Sequence, residues 1–331
     1  MHAVVLVGGR GTRLRPLTDH VPKPMLPIGH RPMIARLVDR LAAAGVTDVT
    51  LALGFRPEPF VEAFPHGRVG DVVLHYAVEP EPLDTAGAIR FAADHTGIDD
   101  TFVVANGDIV TDLNVGDLID AHRRFGAEAT LHLTPVDDPS AFGVVEIDHA
   151  GTVLRFVEKP APGDTTSNLI NAGTYVFEPS VLARIPTGRK VSVERETFQQ
   201  VVADGGLYAM PTDDYWIDTG RPETYLDANI DLLSGVRTER CEAVASGAHV
   251  AASAVLDSSL IDAGASIGEG ARLTASVVLG GARVADGAVI ERSIVMGSVG
   301  RDARVRGSVI GVDGAVADHA ELVDARLPES G

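Results

Sequence analysis

Two rhythms of apolar residues divide this chain. Up to about residue 235, short apolar runs rich in β-branched residues alternate with stretches whose apolar positions recur every three or four residues. The runs at 3–7, 48–53, 72–76, 101–105 and 129–134 read as buried strands. The stretches at 31–44, 85–95 and 114–125 read as amphipathic helices, the first ending at Gly45, a C-terminal cap signal. Past residue 143 the pattern predicts a hairpin, 143–148 and 153–159, turning at 148–151. A strand at 172–177, a helix at 193–203, a strand at 207–210 and a helix at 221–233 follow. Strand and helix in alternation predict an α/β domain, its mostly parallel sheet covered by helices on both faces.

The last 90 or so residues follow the second rhythm. Ile261, Ile267, Leu273 and Leu279 fall six apart, and after a one-residue slip the step resumes at Val284, Ile290 and Met296. The register breaks, giving Val299 and Val305, then Ile310, Val316 and Leu322. Gly, Ala, Ser, Asp and Arg lie between. A six-residue apolar period with small residues at the corners marks a hexapeptide parallel β-helix, here of about four coils. The expected organisation is a catalytic domain over 1–235, a linker over 236–246 and the repeat domain over 247–325.

Composition narrows the function. The formal net charge of −18 argues against a nucleic-acid partner, which wants a basic surface. Residues 10–40 nonetheless concentrate Arg10, Arg13, Arg15, Lys23, Arg31, Arg36 and Arg40 against Asp19 and Asp39, a local attraction for anions. No apolar run approaches the ~20 residues of a membrane span, and Met1-His2 leads directly into the first strand, so no signal peptide is expected. One cysteine, Cys241, excludes an intramolecular disulfide and suits a reducing cytoplasm. Lysine is scarce: only Lys23, Lys159 and Lys190 stand among 28 lysines and arginines, and the first two lie beside prolines. A compact ammonium at a tight phosphate cannot be replaced by a planar guanidinium.

The candidate chemistry starts where the first strand ends. Leu6 and Val7 run into Gly8-Gly9-Arg10-Gly11-Thr12-Arg13, where glycines let backbone N–H groups approach an anion and arginine adds charge. A Walker loop would end in Gly-Lys-Ser/Thr, and a Rossmann fingerprint would place a third glycine where Leu14 stands. In Pro22-Lys23-Pro24 the prolines hold Lys23 on stiff backbone. Asp108, in Asn106-Gly107-Asp108, lies at a strand's carboxyl end, where ligands bind on such sheets.

The pattern Gly-Gly-x-Gly-Thr-Arg-Leu-x-Pro-Leu-Thr, then Pro-Lys-Pro-Met-Leu-Pro-Ile, resembles the sugar nucleotidyltransferase family, and six separated motifs over 1–235 carry the resemblance. It implies a Rossmann-like nucleotidyltransferase sheet followed by a short left-handed parallel β-helix. It also implies transfer of a nucleotidyl group from a nucleoside triphosphate to a sugar 1-phosphate, with release of pyrophosphate. Asp108 and Asp218, the latter in Tyr215-Trp216-Ile217-Asp218, match the family's metal-binding aspartates and imply Mg²⁺ as cofactor, a hard cation held by one or two carboxylates plus phosphates and water. Leu6, Gly8, Gly9, Gly11, Thr12, Arg13 and Lys23 fall on the nucleotide side. So does Pro82-Leu83-Asp84-Thr85-Ala86-Gly87, where Asp84 stands in place of the family's usual glycine, near the base or its ribose. Glu158-Lys159-Pro160, Gly143 and Asn171 match the sugar-phosphate side, with Glu158 accepting from sugar hydroxyls and Lys159 holding the phosphate. The implied catalytic set is Arg13, Lys23, Asp108 and Asp218.

Leu6-Val7-Gly8-Gly9, Ile170-Asn171-Ala172-Gly173 and Ser192-Val193-Glu194-Arg195-Glu196 resemble the mannose-1-phosphate guanylyltransferase branch, implying GTP and mannose 1-phosphate as substrates and GDP-mannose as product. Thymidylyl, uridylyl or adenylyl transfer to glucose 1-phosphate or a related sugar remains the alternative, and a non-catalytic regulatory paralogue a third reading. A short β-helix with open ends points to a homo-oligomer of closed symmetry. Because the motifs all precede residue 235, a chain cut there is expected to change assembly more than chemistry.

Overall fold

The structure, a computed structural model, describes residues 1–9, 11–54 and 57–328. It forms two compact units whose boundaries interleave: Met1–Gly9 with Ile34–Trp216, and Arg10–Met33 with Ile217–Gly331.

The first unit is built on a mixed sheet. Phe102–Asn106, His2–Leu6, Asp48–Leu53 and Val72–Val78 lie side by side and parallel; the last three in chain order are each reached through a helical crossover, and the three inner strands are largely apolar on both faces. Leu169–Phe177 runs antiparallel beside Phe102–Asn106 and carries Ala129–Pro135 on its other edge, which in turn pairs with Leu207–Pro211 in parallel. The predicted hairpin forms from Gly143–Ile147 and Val153–Glu158. Helices Asp84–Thr96 and Phe198–Ala203 bury Ala86, Ile89, Ala92, Phe198 and Val201 with the strand residues Val4, Val104 and Leu131. The opposite face of the sheet takes helix Val115–Phe125, whose buried His122 bonds Thr130 through Nδ1 at 2.9 Å. Helices therefore cover both faces, as the alternation requires.

Two predicted spans shift. The helix expected from residue 31 starts at Met33, because Arg31–Pro32 pairs as a short strand with Pro27–Ile28. The helix expected over 193–203 opens as a wide π turn, Val193–Thr197, before Phe198–Ala203. Its first turn is held by the side chain of Thr85, described below. Short helices Glu58–Ala63 and Pro179–Ala183 have too few apolar positions to be legible from periodicity.

His132, fully buried on the Ala129–Pro135 strand, bonds Thr212 Oγ1 through Nε2 at 2.8 Å, while its Nδ1 has no partner among the described residues. Burial pushes its pKa down to about 4 from an ordinary 6.5. Between these values the unfolded chain binds the proton and the folded chain does not. The stability that neutral His132 supplies is thus complete above pH 6.5 and is lost as pH falls toward 4. That gap corresponds to about 3 kcal/mol. Urea midpoints of the wild type should fall steeply across this window, and those of His132→Asn less so.

In the second unit, three five-stranded parallel sheets form the faces of a β-helix, the architecture of the hexapeptide solenoid. Each face holds five strands, so the stack has five coils rather than about four. The additional coil, with partly buried Val250 and Leu256, lies within 247–325 but precedes Ile261, where the six-residue step is first counted. Successive strands are displaced by 17 residues, except once by 15, between Arg283–Val284 and Ser298–Val299. A coil one residue short of three hexads accounts for the slip after Leu279, and the 15-residue coil accounts for the break before Val299. Down one corner, buried Ser259, Ser276, Ser293 and Ser308 form a ladder. Each hydroxyl accepts from the backbone N–H one coil on, at 3.0–3.1 Å, and the hydroxyls of Ser276, Ser293 and Ser308 donate to a carbonyl two residues back at 2.7–2.8 Å. Each such bond contributes on the order of 1 kcal/mol and meets the hydrogen-bonding need of a buried corner.

Candidate active site

The interleaved boundary runs through the expected phosphate loop. Leu6, Gly8, Gly9, Pro82, Asp84, Thr85, Gly87, Asp108, Gly143, Glu158, Lys159 and Asn171 belong to the first unit, and Gly11, Thr12, Arg13, Lys23 and Asp218 to the second. Arg10 lies outside the described residues.

In the first unit, the strand His2–Leu6 delivers Gly8 to the carboxyl edge of the sheet. Val7 N bonds Ala52 O at 3.1 Å and Gly107 N bonds Leu6 O at 2.9 Å, so three adjacent strand ends are laced together. Gly107 is required there, because a Cβ would sit 2.6 Å from Val7 Cγ1. Half-buried Asp108 follows at once.

The expected nucleotide loop opens helix Asp84–Thr96. Asp84 holds a left-handed backbone, φ 60°, which explains why glycine suits this position, and its Oδ1 accepts from Thr85 N at 2.8 Å. Thr85 Oγ1 donates to Glu194 Oε2 at 2.9 Å and accepts from Val193 N at 2.8 Å, and Ser192 Oγ donates to the same carboxylate at 2.8 Å. Residues 192–196, which the sequence marked without a role, thus latch the loop from within the π turn. One residue escaped sequence reading. Glu79 is buried beside the glycine loop, its Oε2 accepting from Leu83 N at 2.8 Å, while a Cβ on Gly8 would lie 3.8 Å from its Oε1. Burial raises its carboxyl pKa, opposed by the Leu83 N–H. Its only signal was a carboxylate between an apolar strand and Pro80.

The hairpin places Gly143 opposite Glu158, with the Glu158 carboxylate over the glycine: a Cβ on Gly143 would be 2.9 Å from Oε2. Burial, then the charge of Glu194, raises the Glu158 pKa. Lys159 Nζ lies 3.8 Å from Glu158 Oε1, on exposed backbone at φ 50°. Asn171 turns its amide inward, donating to the Tyr175 hydroxyl at 2.8 Å and accepting from Gly173 N at 3.2 Å. Trp216 Nε1 donates to Ala172 O at 2.9 Å, and its ring meets Phe142 edge-on at 5.7 Å.

In the second unit, residues 195 positions apart, Lys23 and Asp218, converge. Gly11 takes a left-handed turn, φ 60°, whose carbonyl accepts from Thr18 Oγ1 at 2.8 Å, and a single tight turn, Thr12–Leu14, presents Arg13. Lys23 begins a second such turn between its prolines and is only 6% exposed, an uncommon burial for a lysine, with Nζ 3.5 Å from Asp218 Oδ1. That oxygen also accepts from Gly220 N at 2.8 Å, and a Cβ on Gly220 would lie 3.1 Å from the Arg13 guanidinium. Arg13, Lys23 and Asp218 thus surround one backbone turn. Asp218 Oδ2 has no hydrogen-bond partner among the described residues. No cluster of three or more metal-binding side chains occurs among the described residues. No helix among the described residues is long and apolar enough to cross a membrane.

Comparison with known proteins agrees with this geometry. Residues 2–235 match the family model for nucleotidyl transferase, and residues 222–327 match that for the GMPPB C-terminal domain. A mannose-1-phosphate guanylyltransferase of Mycobacterium tuberculosis is 44% identical over 236 residues, 71% of this chain and 65% of its own length. A mannose-1-phosphate guanyltransferase of Emericella nidulans is 43% identical over 240 residues, with the same shares. The chain thus spans about two thirds of the length of these relatives. The solved structure of HddC from Yersinia pseudotuberculosis, complexed with GMP-PN, superposes with a TM-score of 0.59 at 30% identity, covering 69% of this chain and 97% of that one. With the glycine turn and the proline-walled lysine inside a match that spans more than half of its length, this chain belongs to the nucleotidyl transferase family.

Proposed function

We propose that this chain transfers a guanylyl group from GTP to mannose 1-phosphate, giving GDP-mannose and pyrophosphate. The convergence of Arg13, Lys23 and Asp218 on one turn carries the transfer chemistry, and the names of the relatives carry the substrate pair. A phosphate oxygen of mannose 1-phosphate, ionised at neutral pH, attacks the α-phosphorus; the bond to the bridging oxygen breaks and pyrophosphate leaves. No general base and no covalent enzyme intermediate are needed, so the protein's work is positioning and charge. Lys23 neutralises charge growing at the α-phosphorus, and Arg13 with the Gly8–Thr12 backbone holds the departing pyrophosphate. Asp108 and Asp218 would hold Mg²⁺, which shields the triphosphate charge and withdraws electrons from the reacting phosphorus. Glu79 faces the base, since guanine offers N1–H and N2 donors that a carboxylate accepts. Glu158 accepts from sugar hydroxyls, and Lys159 aligns the attacking phosphate. We place the enzyme in the cytoplasm as a homo-oligomer of closed symmetry, in keeping with one cysteine and an open-ended β-helix.

A pyrophosphate-release screen of the common nucleoside triphosphates against a panel of sugar 1-phosphates tests the reading. GTP with mannose 1-phosphate should give the highest kcat/KM, and any other preferred pair overturns it. Lys159→Gly supplies a sharper check of the sugar side. Glycine relieves a left-handed backbone worth about 1–2 kcal/mol and adds chain entropy of about the same size. Stability should therefore hold while KM for the sugar phosphate rises about tenfold or more with that for GTP unchanged. An unchanged sugar-phosphate KM removes Lys159 from the site.

A further inference from the structure

We propose that the β-helix is part of the phosphate-binding apparatus, and that Arg326 in its last coil is a positioning residue for Arg13. The proposal rests on the nucleotidyl-transfer reading above. It runs against the expectation that a chain cut at 235 keeps its chemistry.

The segment 11–33 has little structure of its own. It holds two single tight turns and a two-residue hairpin, broken by glycines and prolines. Ordering such backbone costs roughly 1–2 kcal/mol per residue, so a fixed Arg13 and Lys23 need outside struts. The struts come from residues after 217. Arg326 Nη1 donates to Arg13 O at 2.9 Å and to Arg15 O at 3.2 Å, fastening the turn that presents the Arg13 side chain. In the coil before it, Gly311 lies so close to Pro16 that an added Cβ would stand 2.7 Å from Pro16 Cβ. Asp313 Oδ2 is 2.7 Å from His20 Nε2. At the other end of the segment, His30 meets Asp262 Oδ1 through Nδ1 at 2.6 Å and Glu242 O through Nε2 at 2.8 Å. Gly29 N donates to the buried Asn229 side chain at 3.0 Å. The first, fourth and fifth coils, with helix Pro222–Ser234, thus grip the segment along its length. Lys23 and Arg13 are mounted on it, and Asp218 belongs to the same unit. Among the described residues the Arg326 side chain hydrogen-bonds two carbonyls of this turn, so its part is to set where Arg13 points.

The test uses the full-length chain with three variants. Arg326→Ala should raise KM for GTP or lower kcat at least tenfold and leave KM for mannose 1-phosphate unchanged. Amide hydrogen exchange over 11–20 should quicken, while the melting temperature stays within about 2–4 °C of wild type. Arg326→Lys, which keeps one donor, should recover part of the loss. Arg306→Ala, one coil earlier and hydrogen-bonded through its side chain to none of the described residues, should behave as wild type in all of these. Wild-type GTP kinetics and exchange in Arg326→Ala overturn the proposal. Equal losses for both substrates, in step with a lowered melting temperature, also overturn it in favour of a merely structural role. A wild-type protein that releases no pyrophosphate with any pair would instead sink the transferase reading itself, whereas quickened exchange in Arg326→Ala would still show that the strut holds the loop.

Discussion

Lys23→Met is expected to lower kcat by about 10²–10³-fold, with the fold intact. Methionine matches the length and flexibility of lysine and fits the same buried, proline-walled slot, so the change deletes little but the charge. Asp218, a partner at 3.5 Å, is 30% exposed on its side chain, so water replaces the lost ammonium there and the loss of this pair costs about 1 kcal/mol or less. Lys23→Arg should fail almost as badly, because a planar guanidinium does not fit where a compact ammonium is held between two prolines. Single-turnover pyrophosphate release, read beside a thermal melt, separates the outcomes. Normal turnover in Lys23→Met would take Lys23 out of the chemistry, and a lost melting transition would show a structural lysine instead.

Asp108→Asn and Asp218→Asn should each reduce turnover at limiting Mg²⁺ by two or more orders of magnitude. An amide keeps the shape of the carboxylate and removes the charge that holds a hard cation. The two variants differ in a useful way. Asp218 Oδ1 also accepts from Gly220 N and faces Lys23, so Asp218→Asn should disturb the turn near Arg13 as well, raising KM for GTP. Asp108→Asn should leave that turn undisturbed, with its loss eased by raising Mg²⁺. Turnover curves against Mg²⁺ concentration for both variants decide the matter, and a curve that overlays wild type removes that residue from the metal site.

Much of this was legible in the sequence because the signals were local. A β-branched run ending at glycine, a lysine between prolines and a strand ending in Asn-Gly-Asp each carry their backbone consequence within a few residues. The β-helix was legible because its period is short, and even its irregular coils left marks as a slip and a break. What stayed hidden depends on distant pairings. Glu79 is an ordinary glutamate until folding buries it against Gly8 and Leu83. The latch of Thr85 by Glu194 joins residues 109 positions apart, at the π turn. The interleaved boundary is the largest such case. Nothing in the composition of 10–33 says that this stretch leaves the strand preceding it and joins residues beyond 217.

The grip of the coils on segment 11–33 turns a modular element into a gauge. Solenoids ordinarily gain or lose whole units at small cost, because each unit contacts only its neighbours. Here Asp262 in the first coil and Arg326 in the fifth seize opposite ends of one segment. Neighbouring strands in such a stack stand about 4.8 Å apart. Excising or inserting a single coil would therefore leave a well-folded stack whose two grips miss their marks by more than any hydrogen bond can stretch. The number of coils is thus held by the phosphate loop, and the natural drift of repeat number is closed to this chain.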